Sequence, residues 1–153
     1  MKEEEEKEYQ IEDAEANADN KEFMLQALKD KASWVLAYAS NKLFEDKDLV
    51  LKAAAQDGQL LYYASKELRD DKDVVLAAVT NKGLILKYAS KRLRGDKDIG
   101  MAAIKQDKRA EMFLTDELRK DEDINNFLHP PEGWFYIWDG PFRKILRFAP
   151  SPM

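Results

Sequence analysis

The chain has no cysteine among its 153 residues, which excludes disulfides, thiolate metal sites and thiol catalysis. It has a single histidine, His129, set beside Pro130 and Pro131. With neither a cysteine nor a second histidine there is nothing to build a catalytic triad from, and His129 reads as a surface or packing residue. No serine stands in a nucleophile-elbow context. The six glycines are isolated, so no phosphate loop or dinucleotide fingerprint forms. Long apolar runs are missing too. Nothing approaches the ~18 residues of a membrane span, and Met1 is followed by KEEEEKE rather than the apolar stretch of a secretory signal. The expectation is a soluble, cytoplasmic protein without a membrane span.

Charge is plentiful but badly distributed. Charged residues make up 36% of the chain, above the usual level, while the apolar 44% is ordinary. Residues 1–19 hold nine acids against Lys2 and Lys7, a balance of -7 within a net charge of -5, so the remainder carries about +2. A nearly neutral body offers no electrostatic footprint for nucleic acid. Residues 1–19, with Tyr9 and Ile11 as the only large apolar residues beyond Met1, are expected to be a disordered acidic tail.

The body is repetitive. Asp71 to Gly95 reads DKDVVLAAVTNKGLILKYASKRLRG; Asp46 to Asp70 and Asp96 to Lys120 are variants of it, and Asp46, Asp71, Asp96 and Asp121 set a period of 25 residues. A looser copy begins at Asn20 with one extra residue before Tyr38. Self-similarity of this kind signals stacked supersecondary units. Within a copy, Asp71 is placed to cap a short helix, with Asp73 in its first turn. Leu49, Leu51, Ala53, Val74, Leu76, Ala78, Ile99, Met101 and Ala103 are the predicted core. Gly58 and Gly83 are read as left-handed helix exits, with Lys108 in that place one copy later. A second short helix is expected over Ile85 to Leu93, its last turn capped by Ser40, Ser65, Ser90 or Thr115 in successive copies. Tyr38, Tyr63, Tyr88 and Phe113 form a column, read as a structural spine, with a ligand-facing row as the alternative. Neither helix is long enough to stand alone, so each copy must bury its apolar stripe against the next.

The pattern carried by Asp71, Lys72, Val75, Leu76, Ala78, Val79, Gly83, Leu86, Tyr88, Ala89, Ser90, Leu93 and Arg94 resembles an uncharacterised repeat family, domain of unknown function 4116, over about residues 20–124. The resemblance implies an array of short helices, found in bacteria and protists, with no activity and no catalytic residues to carry over. Gly100, Arg109 and Glu111 depart from the pattern and suggest that the array is moving toward its end.

The predicted organisation is an acidic tail at 1–19, a helical repeat array at 20–131 (copies at about 20–45, 46–70, 71–95 and 96–120, a partial one at 121–131), and an aromatic segment at 132–153. That last segment holds Trp134, Phe135, Tyr136, Trp138, Phe142 and Phe148, and it reads as an end cap or as a partner-binding patch anchored by Trp134, Tyr136, Trp138 and Phe142. Phe142, Ile145, Leu146 and Phe148, with Arg143, Lys144 and Arg147, also look like a short amphipathic segment. The Asp-Lys-Asp triplets open like calcium loops but lack the glycine and the glutamate such loops need, so capping is the better reading. Arg94-Gly95-Asp96 spells an adhesion tripeptide, read as coincidence because Asp96 is needed as a cap.

Taken together, the sequence predicts an all-α solenoid of short helix pairs closed by an aromatic C-terminal segment. The function expected of it is protein–protein interaction or scaffolding, with no catalysis and no cofactor. Its partner would be another protein, met through a groove where Lys66, Glu67, Arg69, Lys91, Arg92 and Arg94 set the charge. The alternatives are a microbial effector or regulatory protein acting on a host partner, which the resemblance makes thinkable, and a carboxylate-based enzyme or metal-binding protein.

Overall fold

After the first copy, which Asn20 caps through Phe23 N–H, each copy begins with an aspartate whose side chain accepts a hydrogen bond from the backbone N–H three residues on, as Asp46 does from Leu49 and Asp71 from Val74. Such a cap satisfies an otherwise orphaned donor and contributes about 1 kcal/mol to the helix it starts. The structure is a computed structural model that describes residues 8–130, 134–139 and 142–147. The capped helices are α3 (Lys47–Gln56), α4 (Lys72–Asn81), α6 (Lys97–Gln106) and α8 (Glu122–Leu128); α1 (Ile11–Ala16) and α2 (Lys21–Lys29) precede them. Among the described residues the chain up to Leu128 is helical, with no strand.

The second half of a copy is not one α-helix. Gly83–Tyr88 is a 3-10 helix, Ala89 is extended, and α5 (Lys91–Arg94) is a separate turn. The equivalent stretches are Ser33–Tyr38, Gly58–Tyr62 and Lys108–Phe113, the last followed by α7 (Asp116–Arg119). The cause of the break is the cap itself. The Ser90 hydroxyl accepts from Leu93 N–H, as Ser65 does from Leu68 and Thr115 from Leu118, and a capping residue must leave helical geometry to do this. Ser40 is different: its hydroxyl donates to Asp19 at 2.6 Å.

Core positions follow the geometry of α3, α4 and α6. Leu49, Val50, Ala53 and Ala54 are buried, as are Val74, Val75, Ala78 and Val79, and Ile99, Gly100, Ala103 and Ile104. The third apolar residue of each, Leu51, Leu76 or Met101, is only partly buried. A residue two places along a helix lies about 200° round the axis, so it falls away from the stripe while its neighbour joins it. Gly100 stands where α3 and α4 have valine because Leu118 and Leu114 fill the slot: a β-carbon there would lie 2.6 Å from Leu118 Cδ2 and 3.0 Å from Leu114 Cδ2.

The copies are joined by polar contacts that recur with the sequence. Backbone N–H groups of Ser65, Ser90 and Thr115 donate to the carbonyls of Phe44, Arg69 and Arg94 in the copy before. Gly58 N–H donates to Asn81 Oδ1 at 2.9 Å, and Gly83 N–H to Gln106 Oε1 at 2.5 Å. Neither glycine has a left-handed backbone. Each is needed for close approach, since a β-carbon on Gly83 would sit 2.3 Å from the Ala103 carbonyl oxygen, and one on Gly58 2.5 Å from that of Ala78. The expected left-handed exit is thus replaced by an extended residue, Lys82 at φ -144°. Lys108 takes the equivalent place against α8, which is only 7 residues long where α6 has 10.

A ladder of lysines crosses every junction. Lys21, Lys47, Lys72 and Lys97 each reach both aspartates of the following copy, at N–O distances from 2.6 to 3.7 Å. For Asp46 and Asp121 the lysine bond is the main cause of a carboxyl held below the usual range. At Asp71 and Asp96 burial pushes the carboxyl up, and the bonds from lysine and backbone N–H outweigh it, leaving both lowered. The four lysines are raised, chiefly by their hydrogen bonds to these carboxylates. A lowered carboxyl stabilises the fold above its unfolded pKa near ~4, and that contribution goes as pH falls; a raised lysine stabilises below ~10 and is lost as pH rises. The urea midpoint should therefore be level from about pH 5 to pH 9 and decline on both sides. A midpoint that climbs steadily across that range would contradict the ladder.

The N-terminal segment does not behave as a disordered tail throughout. Tyr9 is 8% exposed, its ring sits edge-on to Phe23 at 5.6 Å, and its hydroxyl donates to Asp30 at 2.5 Å. Burial, then that bond, pushes the phenol up to about 12. Ala14 on α1 is fully buried, and Ser40 N–H donates to the Ala18 carbonyl. Ala18 thus does for the first copy what Phe44 and Arg69 do for later ones, so residues 8–19 stand where the end of a preceding copy would. Composition missed this because two or three well-placed apolar groups suffice once a neighbour supplies the other wall. Residues 1–7 lie outside the described residues.

Candidate functional site

The 3-10 geometry decides which side chains face outward. With three residues per turn, residues three apart lie on the same side, so Gly58 and Leu61, and Gly83 and Leu86, are buried together, and the chain turns back into the core at Ala64 and Ala89 after each stretch. What lies between them is left outside. Tyr62 is 56% exposed and Tyr63 45%, Lys87 is exposed, and Tyr88 is half-buried. Tyr38 and Phe113 are half-buried as well. The column of aromatics predicted as a structural spine is thus half-buried against the core at Tyr38, Tyr88 and Phe113 and exposed at Tyr63.

Tyr62 bridges two of its members. Tyr62 meets Tyr63 and Tyr88 edge-on, each with ring centroids 5.1 Å apart. Tyr63 stacks on Phe44 at 5.4 Å, while Trp34, 45% exposed, meets Tyr38 edge-on at 6.2 Å. Trp34, Tyr62, Tyr63 and Tyr88 border an open groove of about 460 Å³ lined also by Leu60, Leu84, Ile85, Asp57, Lys82 and Lys87. One Asp57 oxygen accepts from Gln59 N–H. Lys87 Nζ lies 4.7 Å from the Tyr88 ring centre, within cation–π range. Neither Lys82 nor Lys87 has an ion pair among the described residues, in contrast to the four ladder lysines.

Of the groove residues expected to set partner charge, Lys66, Glu67, Lys91 and Arg92 are exposed, whereas Arg69 and Arg94 are half-buried. Arg92 is engaged with the previous copy, its Nη2 donating to the Asp70 carbonyl at 2.6 Å and its Nε lying 3.1 Å from the Asp70 carboxylate. Ser90 donates to that same carboxylate, which is lowered first by the serine and then by Arg92. The Asp-Lys-Asp carboxylates are taken up by backbone N–H groups and lysines. Among the described residues no three acidic or histidine side chains are placed to hold a metal ion, and no helix is long and apolar enough to cross a membrane. His129 is the exposed residue following α8.

Two stretches of the chain, residues 20–69 and 71–119, match the family model described as Domain of unknown function (DUF4116). The chain belongs to that family. No curated protein and no solved structure matches it. Each DUF4116 match covers two of the copies defined above, and between them they take in Trp34, Tyr62, Tyr63, Lys82, Lys87 and Tyr88. Sequence reasoning missed Trp34, Tyr62, Lys82 and Lys87 because it assumed α-helical spacing; a three-residue reading of LLYYAS and LKYAS would have turned Tyr62 and Lys87 outward.

The other predicted anchors lie on a β-hairpin. Strand β1 (Trp134–Asp139) pairs antiparallel with β2 (Phe142–Arg147), with Trp134 opposite Arg147, Tyr136 opposite Ile145, Trp138 opposite Arg143 and Asp139 opposite Phe142. The amphipathic segment expected around Phe142 and Leu146 is therefore a strand as far as Arg147; Phe148 lies outside the described residues. Helix α8 lacks the apolar residues on which a further copy would pack. At the α8 positions corresponding to the buried Gly100 and Ile104 stand Asn125 and His129, both exposed, while Ile124 and Phe127 close the inner side. A chain ending at Pro131 should accordingly keep a single cooperative melt within about 3 °C of the full chain. Loss of cooperativity in that truncation would assign the cap to the hairpin instead.

Proposed function

We propose that this protein is a non-catalytic interaction module, a short solenoid of 25-residue copies that holds another protein against the aromatic ledge of Trp34, Tyr62, Tyr63 and Tyr88. The observation that carries the reading is that these four rings line one open groove, Trp34, Tyr62 and Tyr63 exposed and Tyr88 half-buried. Tyrosine and tryptophan combine a large apolar area with a polar tip and few rotatable bonds, and such residues dominate the energetics of protein interfaces. The ledge sits on a frame braced by the lysine ladder and the inter-copy amide bonds, so little order need be gained on binding. Trp134, Tyr136, Trp138 and Phe142 on the hairpin strands would serve a scaffold with two partners as a second set of aromatic anchors.

Selection of a random peptide library on the full chain tests the reading. Peptides should be enriched that bind the native chain and lose that binding on a Tyr62→Ala/Tyr88→Ala variant whose melt is unchanged. A library that returns no ledge-dependent binder would remove the module reading.

A further inference from the structure

Resting on that reading, we infer that the ledge takes an extended, proline-rich peptide in the polyproline II conformation, carrying an acidic residue beside its prolines. Ring geometry supplies the first part. Tyr62 meets both Tyr63 and Tyr88 edge-on at 5.1 Å, so the outer rings lie at most about 10 Å apart, twice that spacing. One turn of a polyproline II helix advances about 9 Å over three residues, so prolines a turn apart fit the span from Tyr63 across Tyr62 to Tyr88. Such a ligand has no internal hydrogen bonds to break and little conformational entropy left to lose, and aromatic-lined grooves are the general means of holding it.

Shape argues against the main competitor. A sugar ring stacks best on a flat face standing clear of its neighbours. Here the interplanar angles of 80° and 67° make ridges and furrows, and the broad side of Tyr63 is already covered by Phe44. Charge supplies the second part. Lys82 and Lys87 enter the same groove without a carboxylate partner among the described residues, while Asp57, the acid lining it, caps the start of Gly58–Tyr62. The unbalanced charge is positive, and it complements a glutamate or aspartate on the ligand.

The test measures fluorescence anisotropy of labelled synthetic peptides on the full chain. The first peptide has two Pro-Pro pairs one polyproline turn apart with glutamates at one end, the second replaces its prolines by alanine, and the third replaces its glutamates by glutamine. The first should bind saturably and the alanine peptide about tenfold more weakly. Tyr62→Ala should weaken the first peptide about tenfold, and Lys87→Glu should weaken it several-fold while leaving the glutamine peptide unaffected. Both side chains are exposed, and an unchanged melt confirms that each variant is folded. Equal binding of the proline and alanine peptides, indifference to Tyr62→Ala, or displacement of the first peptide by a cello-oligosaccharide at equal concentration would overturn the inference. Ledge-dependent library peptides without proline would overturn it too, while leaving the module reading intact.

Discussion

Gly83→Ala should lower the melting temperature by roughly 10 °C, the largest effect of an added β-carbon among the described glycines. Its new methyl group would lie 2.3 Å from the Ala103 carbonyl oxygen and 3.2 Å from the Ala103 carbonyl carbon. Both are backbone atoms of a helix held on either side, so the clash cannot be relieved by a side-chain rotation. The copies would have to move apart, and the Gly83 N–H to Gln106 bond would lengthen or break at a buried position. Overpacking costs about 1–3 kcal/mol and an unsatisfied buried donor a further ~1–3 kcal/mol. Gly95→Ala is the internal control. Its methyl would meet Thr115 side-chain atoms at 3.2 and 3.3 Å and the Arg92 carbonyl at an ordinary 3.5 Å, and Gly95 has a right-handed backbone with φ -98° that alanine adopts freely. Thermal melts of the two variants should differ by most of the full shift; equal melts would show that the copies are not in contact at Gly83.

Leu86→Ala should cost about 3 kcal/mol, read as a drop in the urea midpoint with little change in slope. Leu86 is completely buried where the 3-10 stretch meets α4 and α6. Removing its branch leaves a cavity that neighbours on both sides are too constrained to fill. Met112→Ala, at a site 66% exposed on the next 3-10 stretch, should change stability by less than about 0.5 kcal/mol. An altered slope for Leu86→Ala would mean that part of the array melts separately, as linear stacks do when one interface is weakened.

Sequence reasoning reached the features that depend on neighbours along the chain. Aspartate caps at 46, 71, 96 and 121, hydroxyl caps at Ser65, Ser90 and Thr115, and the need for each copy to bury a stripe all follow from short-range hydrogen bonding and helical period. The resemblance to DUF4116 rested on the same recurring residues, and the family match covers most of them. Mid-copy geometry was less legible. The 3-10 twist of Gly58–Tyr62 and Gly83–Tyr88 differs from an α-helix by less than one residue per turn, and no residue type marks it, yet it leaves Tyr62 and Lys87 on the surface.

What the chain alone determined, then, is where each copy starts, how its helix is capped and which stripe is apolar, because those depend on atoms a few residues apart. Only the packing of one copy on the next decided the rest. It turned glycines from turn residues into points of contact and brought Tyr9 and Ala14 out of an acidic run into the core. It also paired each lysine with aspartates 24 to 27 residues away and lined the tyrosines up on the surface. Those outcomes depend on distances between groups far apart in the chain, which no local pattern encodes.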